Sequence, residues 1–213
     1  LTASLRIDGS SVFGKNKKYG YFPSAAFAWR VNEEAFMKDI SWLSNLKLRL
    51  SYGQVGNQGV SPYKSLALTE KYLTEFGDKT AIGYLPGMEL LNPDLKWETS
   101  TSVNAGLDFG FFNGRINGSI EYYATKNTDL LVNRSLNQVL GYTSQYVNLG
   151  RMDNKGIELA LNVVPVKTKD FDWSVNFTFA KNKNEIKKIA GQVDENGKPI
   201  DDVNNKWFIG SPT

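Results

Sequence analysis

The sequence predicts an all-β fold of antiparallel, up-and-down strands that are long enough to cross a membrane. Three observations support this prediction: apolar and polar residues alternate over seven segments, short and long connections alternate between them, and aromatic residues collect near the segment ends. Strict alternation gives a strand one apolar face and one polar face. The runs of about 10 to 14 residues exceed the usual soluble strand of about 5 or 6 and match a tilted membrane crossing.

The seven segments carry an apolar residue at every second position. These residues are Ala3, Leu5 and Ile7; Ala25, Phe27, Trp29 and Val31; Leu46, Leu48, Leu50 and Tyr52; Val103, Ala105, Leu107 and Phe109; Ile116, Ile120 and Tyr122; Ile157, Leu159, Leu161 and Val163; and Trp173, Val175, Phe177 and Phe179. We expect this face to contact lipid and the polar face to line the lumen of a barrel. The charged residues predicted to face the lumen are Arg49, Glu98, Asp108, Glu121 and Glu158.

The connections predict which ends of the strands lie together. Asn113-Gly114 is the signal for a two-residue type I′ hairpin. Its register would pair Leu107 with Ile120 and Ala105 with Tyr122, and would place Phe109 over Gly118. The link 164–172 is short and 32–45 is typical of a short helical turn, whereas 10–19, 57–96 and 127–150 are long. Short turns at one end and long loops at the other are typical of outer-membrane barrels, with the long loops outside the cell.

Aromatic residues near both ends of the segments predict two membrane interfaces, because amphipathic rings prefer the headgroup level. The residues predicted to lie there are Trp29, Tyr52, Trp97, Phe109, Tyr122 and Trp173. A soluble β-sandwich that binds carbohydrate is the alternative, with the rings at the rims of its core. A sandwich would have turns of similar length at both ends, which does not match this chain.

Composition excludes several classes of function. The chain has 213 residues, no Cys and no His, so sites that need thiolate or imidazole groups are excluded and we expect neither an enzyme nor a metal or cofactor. The acidic residues near 194–202 lack the spacing of a calcium loop. A net charge of +3 without a basic stripe argues against nucleic acid.

The chain is expected to be part of a larger barrel. Seven strands would leave two bare edges in lipid if they did not close, and they are too few to close around a water-filled lumen. Leu1 opens directly into an alternating segment, with neither a charged nor an apolar leader before it. We therefore expect residues 1–213 to be one stretch of a barrel domain whose termini lie elsewhere.

Seven strings then resemble one family in the same order along the chain. They are RIDGSSVFG from Arg6, GYFPS from Gly20, LKLRLSYGQVGN from Leu46, NPDLKWE from Asn92, GLDFGFFNGR from Gly106, YYATKNTDLL from Tyr122 and NLGRMDNKGIE from Asn148. Together they resemble the barrel of the SusC/RagA class of TonB-dependent outer-membrane transporters of Bacteroidetes. The resemblance implies a barrel of about 22 strands with a plugged lumen. It also implies import of oligosaccharides or peptides, driven through TonB and assisted by a SusD-like surface lipoprotein. A plug domain and a TonB-binding segment are not found in this sequence.

The long loops hold the candidate contacts for cargo or partner. Five tyrosines stand there with Asn and Gln nearby, and aromatic faces and amides suit both sugar rings and peptide backbones: Tyr63, Tyr72, Tyr84, Tyr142 and Tyr146. The alternative is that these rings pack loop against loop or against the lipoprotein. A passive, porin-like barrel also stays open, because it would share the same strands.

Overall fold

The computed structural model describes residues 1–66, 68–137, 139, 141–189, 195–198, 200–201, 203 and 207–212. Asp194 and Asp202, from the acidic stretch near 194–202, lie outside the described residues. The strands are β1 (Thr2–Gly9), β2 (Tyr19–Arg30), β3 (Leu43–Asn57), β4 (Thr69–Phe76), β5 (Lys79–Pro86), β6 (Glu98–Phe111), β7 (Ile116–Thr128), β8 (Leu131–Ser135), β9 (Ser144–Asn148), β10 (Arg151–Lys167) and β11 (Asp172–Lys188). No helix among these residues is long and apolar enough to span a membrane.

The seven predicted segments form one antiparallel sheet in the order β1-β2-β3-β6-β7-β10-β11. The prediction of an all-β, up-and-down arrangement is therefore confirmed. The two other sheets in the described part of the chain are small hairpins, β4–β5 and β8–β9. None of the described residues forms a second layer over the apolar face, and Leu50, Ile120 and Phe177 stay 41–51% exposed. The β-sandwich alternative is wrong, because a sandwich buries that face against another sheet.

The strand register joins the apolar residues into continuous rows across the sheet. One row runs through Trp29, Leu48, Leu107, Ile120, Leu159 and Phe179, each directly opposite the next. Because successive side chains point to opposite faces, the residues between these rows form an equally continuous polar face. We call the apolar face the outward face and the polar face the lumen face.

The register predicted from Asn113-Gly114 is confirmed. The three predicted facing pairs, Leu107 with Ile120, Ala105 with Tyr122 and Phe109 with Gly118, are all present. Asn113 and Gly114 adopt φ values of 53° and 80°, as a type I′ turn requires. The N–H of Arg115 donates to the carbonyl of Phe112 at 3.3 Å and closes the turn.

The β10–β11 turn is shorter than predicted. Strand β10 continues to Lys167 through an irregularity between Val163 and Val166, and only residues 168–171 connect it to β11. Pro165 lies at this irregularity, where a residue without an N–H is tolerated. In the turn, Thr168 N–H donates to the Phe171 carbonyl at 2.7 Å.

The stretches predicted as loops contain more structure than expected. Hairpin β4–β5 lies within 57–96 and hairpin β8–β9 within 127–150. The predicted helical turn within 32–45 consists of two short 3-10 turns, Val31–Glu33 and Ala35–Met37. All long connections leave the same end of the sheet, which we call the long-loop end.

Candidate functional site in the lumen wall and long loops

An ion network joins three strands at the middle of the lumen face. Arg49 on β3 donates to Asp108 on β6 through Nε at 2.9 Å and Nη2 at 2.8 Å. The same Nη2 donates to Glu121 on β7 at 2.5 Å. Gly106 lies between Arg49 and Glu121 in the register, and a Cβ there would stand 3.0 Å from Arg49 Nη2. The missing side chain lets the guanidinium reach across one strand to the next.

The other two predicted lumen residues have different surroundings. Glu158 lies directly opposite Glu121 and is exposed, so it adds negative charge to the wall beside the network. Glu98 stands at the long-loop end, where its carboxylate accepts from the Leu131 N–H at 3.2 Å. Glu98 therefore helps to hold the start of β8, whereas Glu158 stays available to solvent in the lumen.

Most of the predicted interface aromatics lie on the outward face. The exposed rings of Tyr52, Tyr122 and Trp173 are on this face. Trp29 also lies there and donates through Nε1 to Glu34 at 2.8 Å. Phe109 covers Gly118 and stacks on the ring of Phe111 with centroids 5.5 Å apart. These positions suit rings at a lipid interface.

Trp97 has a different environment from the other predicted interface aromatics. Its ring centroid lies 4.9 Å from that of Phe13 and 5.6 Å from that of Phe22, and both phenylalanines are buried. Its Nε1 donates to the carbonyl of Lys18 in the β1–β2 loop at 3.1 Å. A ring held this way does not face lipid, so the prediction for Trp97 does not fit the structure. Together with fully buried Leu95, these rings form what we call the loop-anchor cluster.

The two longest loops are joined into one body by hydrogen bonds. Asn92 Nδ2 donates to the Tyr146 carbonyl at 2.8 Å, and Gln145 Nε2 donates to the Leu91 carbonyl at 3.0 Å. Asn148 accepts from the Lys96 N–H at 2.8 Å and donates back to the Lys96 carbonyl at 2.7 Å. A parallel bridge between Glu89 and Ser144 adds a backbone contact. We call this body the loop layer.

A cavity of about 320 Å³ opens within the loop layer. It is lined by residues of both loops, among them Tyr63, Lys64, Leu68, Glu89 and Thr143. Lys64 forms an ion pair with Glu89, and its ammonium group also lies 5.5 Å from the centroid of the Tyr146 ring. An aromatic residue, a charge pair and apolar side chains such as Leu68 therefore line one space, which can accept a polar ligand with apolar patches.

The structure brings together only some of the five predicted tyrosines. Tyr63 lines the cavity. Tyr146 does not line it, but its ring contacts the ammonium group of Lys64, which does. Tyr72 packs on Gly83 within hairpin β4–β5, and Tyr84 on the same hairpin is 67% exposed. Tyr142 is half-buried before β9 and does not line the cavity.

Sequence reasoning missed the side chains that hold the loop layer together. Asn92, Lys64, Glu89 and Asn148 were not singled out, although Asn92-Pro93 has the composition of a turn. The Asp94 N–H indeed donates to Asn92 Oδ1 at 3.1 Å. Among the described residues no group of acidic side chains has the arrangement of a metal site.

Taken together, one continuous apolar face, one polar face and long loops at a single end define a wall segment of a membrane β-barrel. Residues 1–208 match the family described as TonB dependent receptor-like, beta-barrel. The chain belongs to this family, whose members are barrels of the bacterial outer membrane.

Similar proteins are TonB-dependent receptors, in agreement with this family. TonB-dependent receptor P3 of Formosa agariphila is 41% identical over 189 residues, which cover 89% of this chain and 19% of that protein. TonB-dependent receptor SusC of Bacteroides thetaiotaomicron is 40% identical over 200 residues, which cover 91% and 20% respectively. The chain thus spans about a fifth of the length of these relatives.

Solved structures with the same strand arrangement include two of RagAB. The RagAB peptide transporter superposes with a TM-score of 0.76 at 31% identity, over 90% of this chain and 21% of that chain. The RagAB peptide importer in the open-open state gives a TM-score of 0.78 at 31% identity, over 90% and 20%. The chain is therefore similar in fold to one stretch of a much longer barrel.

Proposed function

We propose that this chain forms part of the wall and extracellular loops of a TonB-dependent transporter that imports oligosaccharides or peptides. A SusD-like surface lipoprotein would cover the long-loop end, and TonB would supply energy through a plug. The observation that carries the proposal is the loop layer, whose cavity is built from two loops at the long-loop end of a sheet with a charged lumen face.

The chemistry of the loop layer supports a large polar cargo. Tyr63 offers an aromatic face, while the charged groups of Lys64 and Glu89 beside it offer hydrogen bonds. Such a mixture suits sugar rings and peptide backbones alike. Similarity to the RagAB peptide importer favours peptides, and similarity to SusC supports the same class of transporter without deciding the cargo.

The lumen carboxylates are proposed to be wall charges rather than a catalytic pair. Asp108 and Glu121 both accept hydrogen bonds from Arg49, so their oxygens are already engaged as acceptors. A glycosidase needs one carboxyl that is protonated and can donate. We therefore propose a transporter without enzymatic activity in this segment.

Active and passive transport can be separated in the source bacterium. Uptake of labelled oligosaccharides and labelled peptides would be measured in wild type, in a deletion of the full transporter gene, and in a strain without TonB. Active import predicts that both deletions abolish uptake of one cargo class. Uptake that needs the transporter but persists without TonB would instead support the passive barrel.

A substitution in the cavity tests where the cargo binds. We expect Tyr63→Ala in the full transporter to weaken cargo binding about tenfold, because a stacking ring is lost. The control is Tyr21→Ala, an exposed ring on β2 that projects from the outward face. Equal binding by wild type and Tyr63→Ala would remove the cavity from the proposal.

A further inference from the structure

The outward face of β10 and β11 changes from apolar to charged toward the long-loop end. Ile157 on β10 lies opposite Lys181 on β11, and the next outward pair is Lys155 opposite Lys183. The pair beyond that is Asp153 opposite Glu185. All of the charges involved share one face, because residues two apart in a strand point the same way.

Positive charge dominates this part of the outward face. The cations are Lys126, Arg151, Lys155, Lys181, Lys183 and Lys187, and the carboxylates are Asp153 and Glu185. Six positive and two negative groups leave a local charge of +4. Both carboxylates are already paired: Arg151 lies 2.6 Å from Asp153, and Glu185 lies 2.9 Å from Lys183 and 2.5 Å from Lys187.

Three lysines stand together on this face. Among the described residues, they have one carboxylate in an ion pair with them, Glu185, which is shared between Lys183 and Lys187. Lys155 and Lys183 face each other directly, and like charges in this position destabilise a strand pair. Lys181 projects from the same face two residues before Lys183, and all three side chains are exposed. In the part of the chain that the structure describes, Lys155 and Lys181 have no ion-pair partner. An anion placed between these side chains would relieve their repulsion.

The three lysines lie at the height of lipid headgroups. Trp173 marks the outward face of β11 at the short-turn end, and ten residue steps separate it from Lys183. At about 3.3 Å per residue this is about 33 Å along the strand, or about 25 Å along the membrane normal for a tilt of about 40°. That height equals the apolar band of an outer-membrane barrel. The residues below the lysines, including Phe179 and Leu159, are apolar.

We propose that Lys155, Lys181 and Lys183 bind the phosphate groups of the glycolipid in the outer leaflet of the outer membrane. A lipid phosphate lies in the plane of the headgroups, carries negative charge and offers several acceptor oxygens to neighbouring ammonium groups. Arg151 pairs with Asp153, and Glu185 is shared between Lys183 and Lys187, so neither carboxylate pairs with Lys155 or Lys181. The proposal concerns the outward face and is independent of which cargo is imported.

The test uses the full transporter purified in detergent and phosphorylated lipid A as the probe. The variant K155Q/K181Q/K183Q removes the cluster, and K38Q/K167Q/K169Q removes the same charge near the short-turn end. Each lysine near an anionic lipid surface raises binding affinity about fivefold. We therefore expect the first variant, which lacks three lysines, to bind lipid A about 100-fold more weakly. The control should stay within threefold of wild type. A heat-modifiable band on unboiled gels verifies that both variants are folded.

Two further probes identify the source of the phosphate. Removing the phosphates from lipid A should weaken its binding to wild type. The remaining affinity should be no higher than the affinity of the cluster variant for phosphorylated lipid A. Inorganic phosphate should bind far more weakly than lipid A, since it lacks the membrane anchor. Equal lipid A binding by wild type and the cluster variant would overturn the proposal, as would undiminished binding of the dephosphorylated lipid. Inorganic phosphate binding as tightly as lipid A would reassign the lysines to a soluble anion.

Discussion

Gly56→Ala should release the loops that are held by the loop-anchor cluster. Gly56 lies on β3, and a Cβ there would stand 2.1 Å from Cζ of Phe22. Ordinary contact between carbon atoms begins near 3.5 Å, so the ring must move by more than 1 Å. Phe22 is only 4% exposed and cannot move without leaving its site against Trp97. The substitution therefore acts through Phe22 rather than through the strand.

The expected destabilisation follows from what Phe22 loses. Full burial of a Phe side chain contributes about 1.5–3 kcal/mol, and the edge contact with Trp97 adds about 0.5–1.5 kcal/mol. Replacing Gly by Ala in a strand recovers about 0.4–1 kcal/mol, because the unfolded chain becomes less flexible. The balance is about 2 kcal/mol, which corresponds to about 30-fold more frequent local opening.

Limited proteolysis measures this local opening. The β1–β2 loop carries Lys15, Lys17 and Lys18, and the Lys18 carbonyl is held by Trp97. We expect trypsin to cut this loop about 30-fold faster in full-length transporter carrying Gly56→Ala, provided that closing is faster than cleavage. Gly53→Ala is the matched control, since its Cβ would meet Ser24 Cβ at an ordinary 3.7 Å.

A double-mutant cycle isolates the contact between Gly56 and Phe22. Phe22→Ala alone should cost about 3–5 kcal/mol. In that background Gly56→Ala should be neutral or slightly stabilising, because no ring remains to be displaced. Additive effects of the two substitutions, or equal cleavage rates for Gly56→Ala and Gly53→Ala, would refute the reasoning.

Two further substitutions test the lumen wall and the loop layer. Arg49→Met removes three hydrogen bonds to Asp108 and Glu121 and should lower the stability of the full transporter by about 2 kcal/mol in urea titrations. Arg30→Met removes the more exposed pair with Glu33 and should change this stability by less than about 0.5 kcal/mol. Equal losses of stability for the two variants would contradict the network. Asn148→Ala removes the bonds to both backbone groups of Lys96 and should speed hydrogen exchange at the Lys96 amide about tenfold or more. Unchanged exchange there would show that Asn148 does not join the loops.

The strand register could be predicted from sequence because two local signals agree. A period of two decides which residues share a face, and Asn113-Gly114 decides which residue on β7 faces which on β6. A slip by one residue would turn Leu107 and its row toward the lumen. The outward rows and the lumen positions of Arg49 and Asp108 can therefore be predicted from the amino-acid sequence.

The loop layer could not be predicted in the same way. Asn92 and Tyr146 are 54 residues apart, and Asn148 and Lys96 are 52 apart, so no local pattern links them. Trp97 was expected at the membrane interface because it is an aromatic residue near a segment end. The β1–β2 loop instead supplies a carbonyl acceptor and the ring of Phe13, and β2 supplies the ring of Phe22. Hairpin β4–β5 is different, because Gly77-Asp78 is a two-residue hairpin signal that the sequence does contain.

The hydrogen bonds of the loop layer decide which segments can be exchanged between relatives. Grafting residues 58–97 from a relative would replace Lys96, the hydrogen-bond partner of Asn148. Grafting residues 129–150 alone would replace Tyr146, the partner of Asn92. The natural unit of recombination is both segments together, with the strands β6 and β7 between them left unchanged.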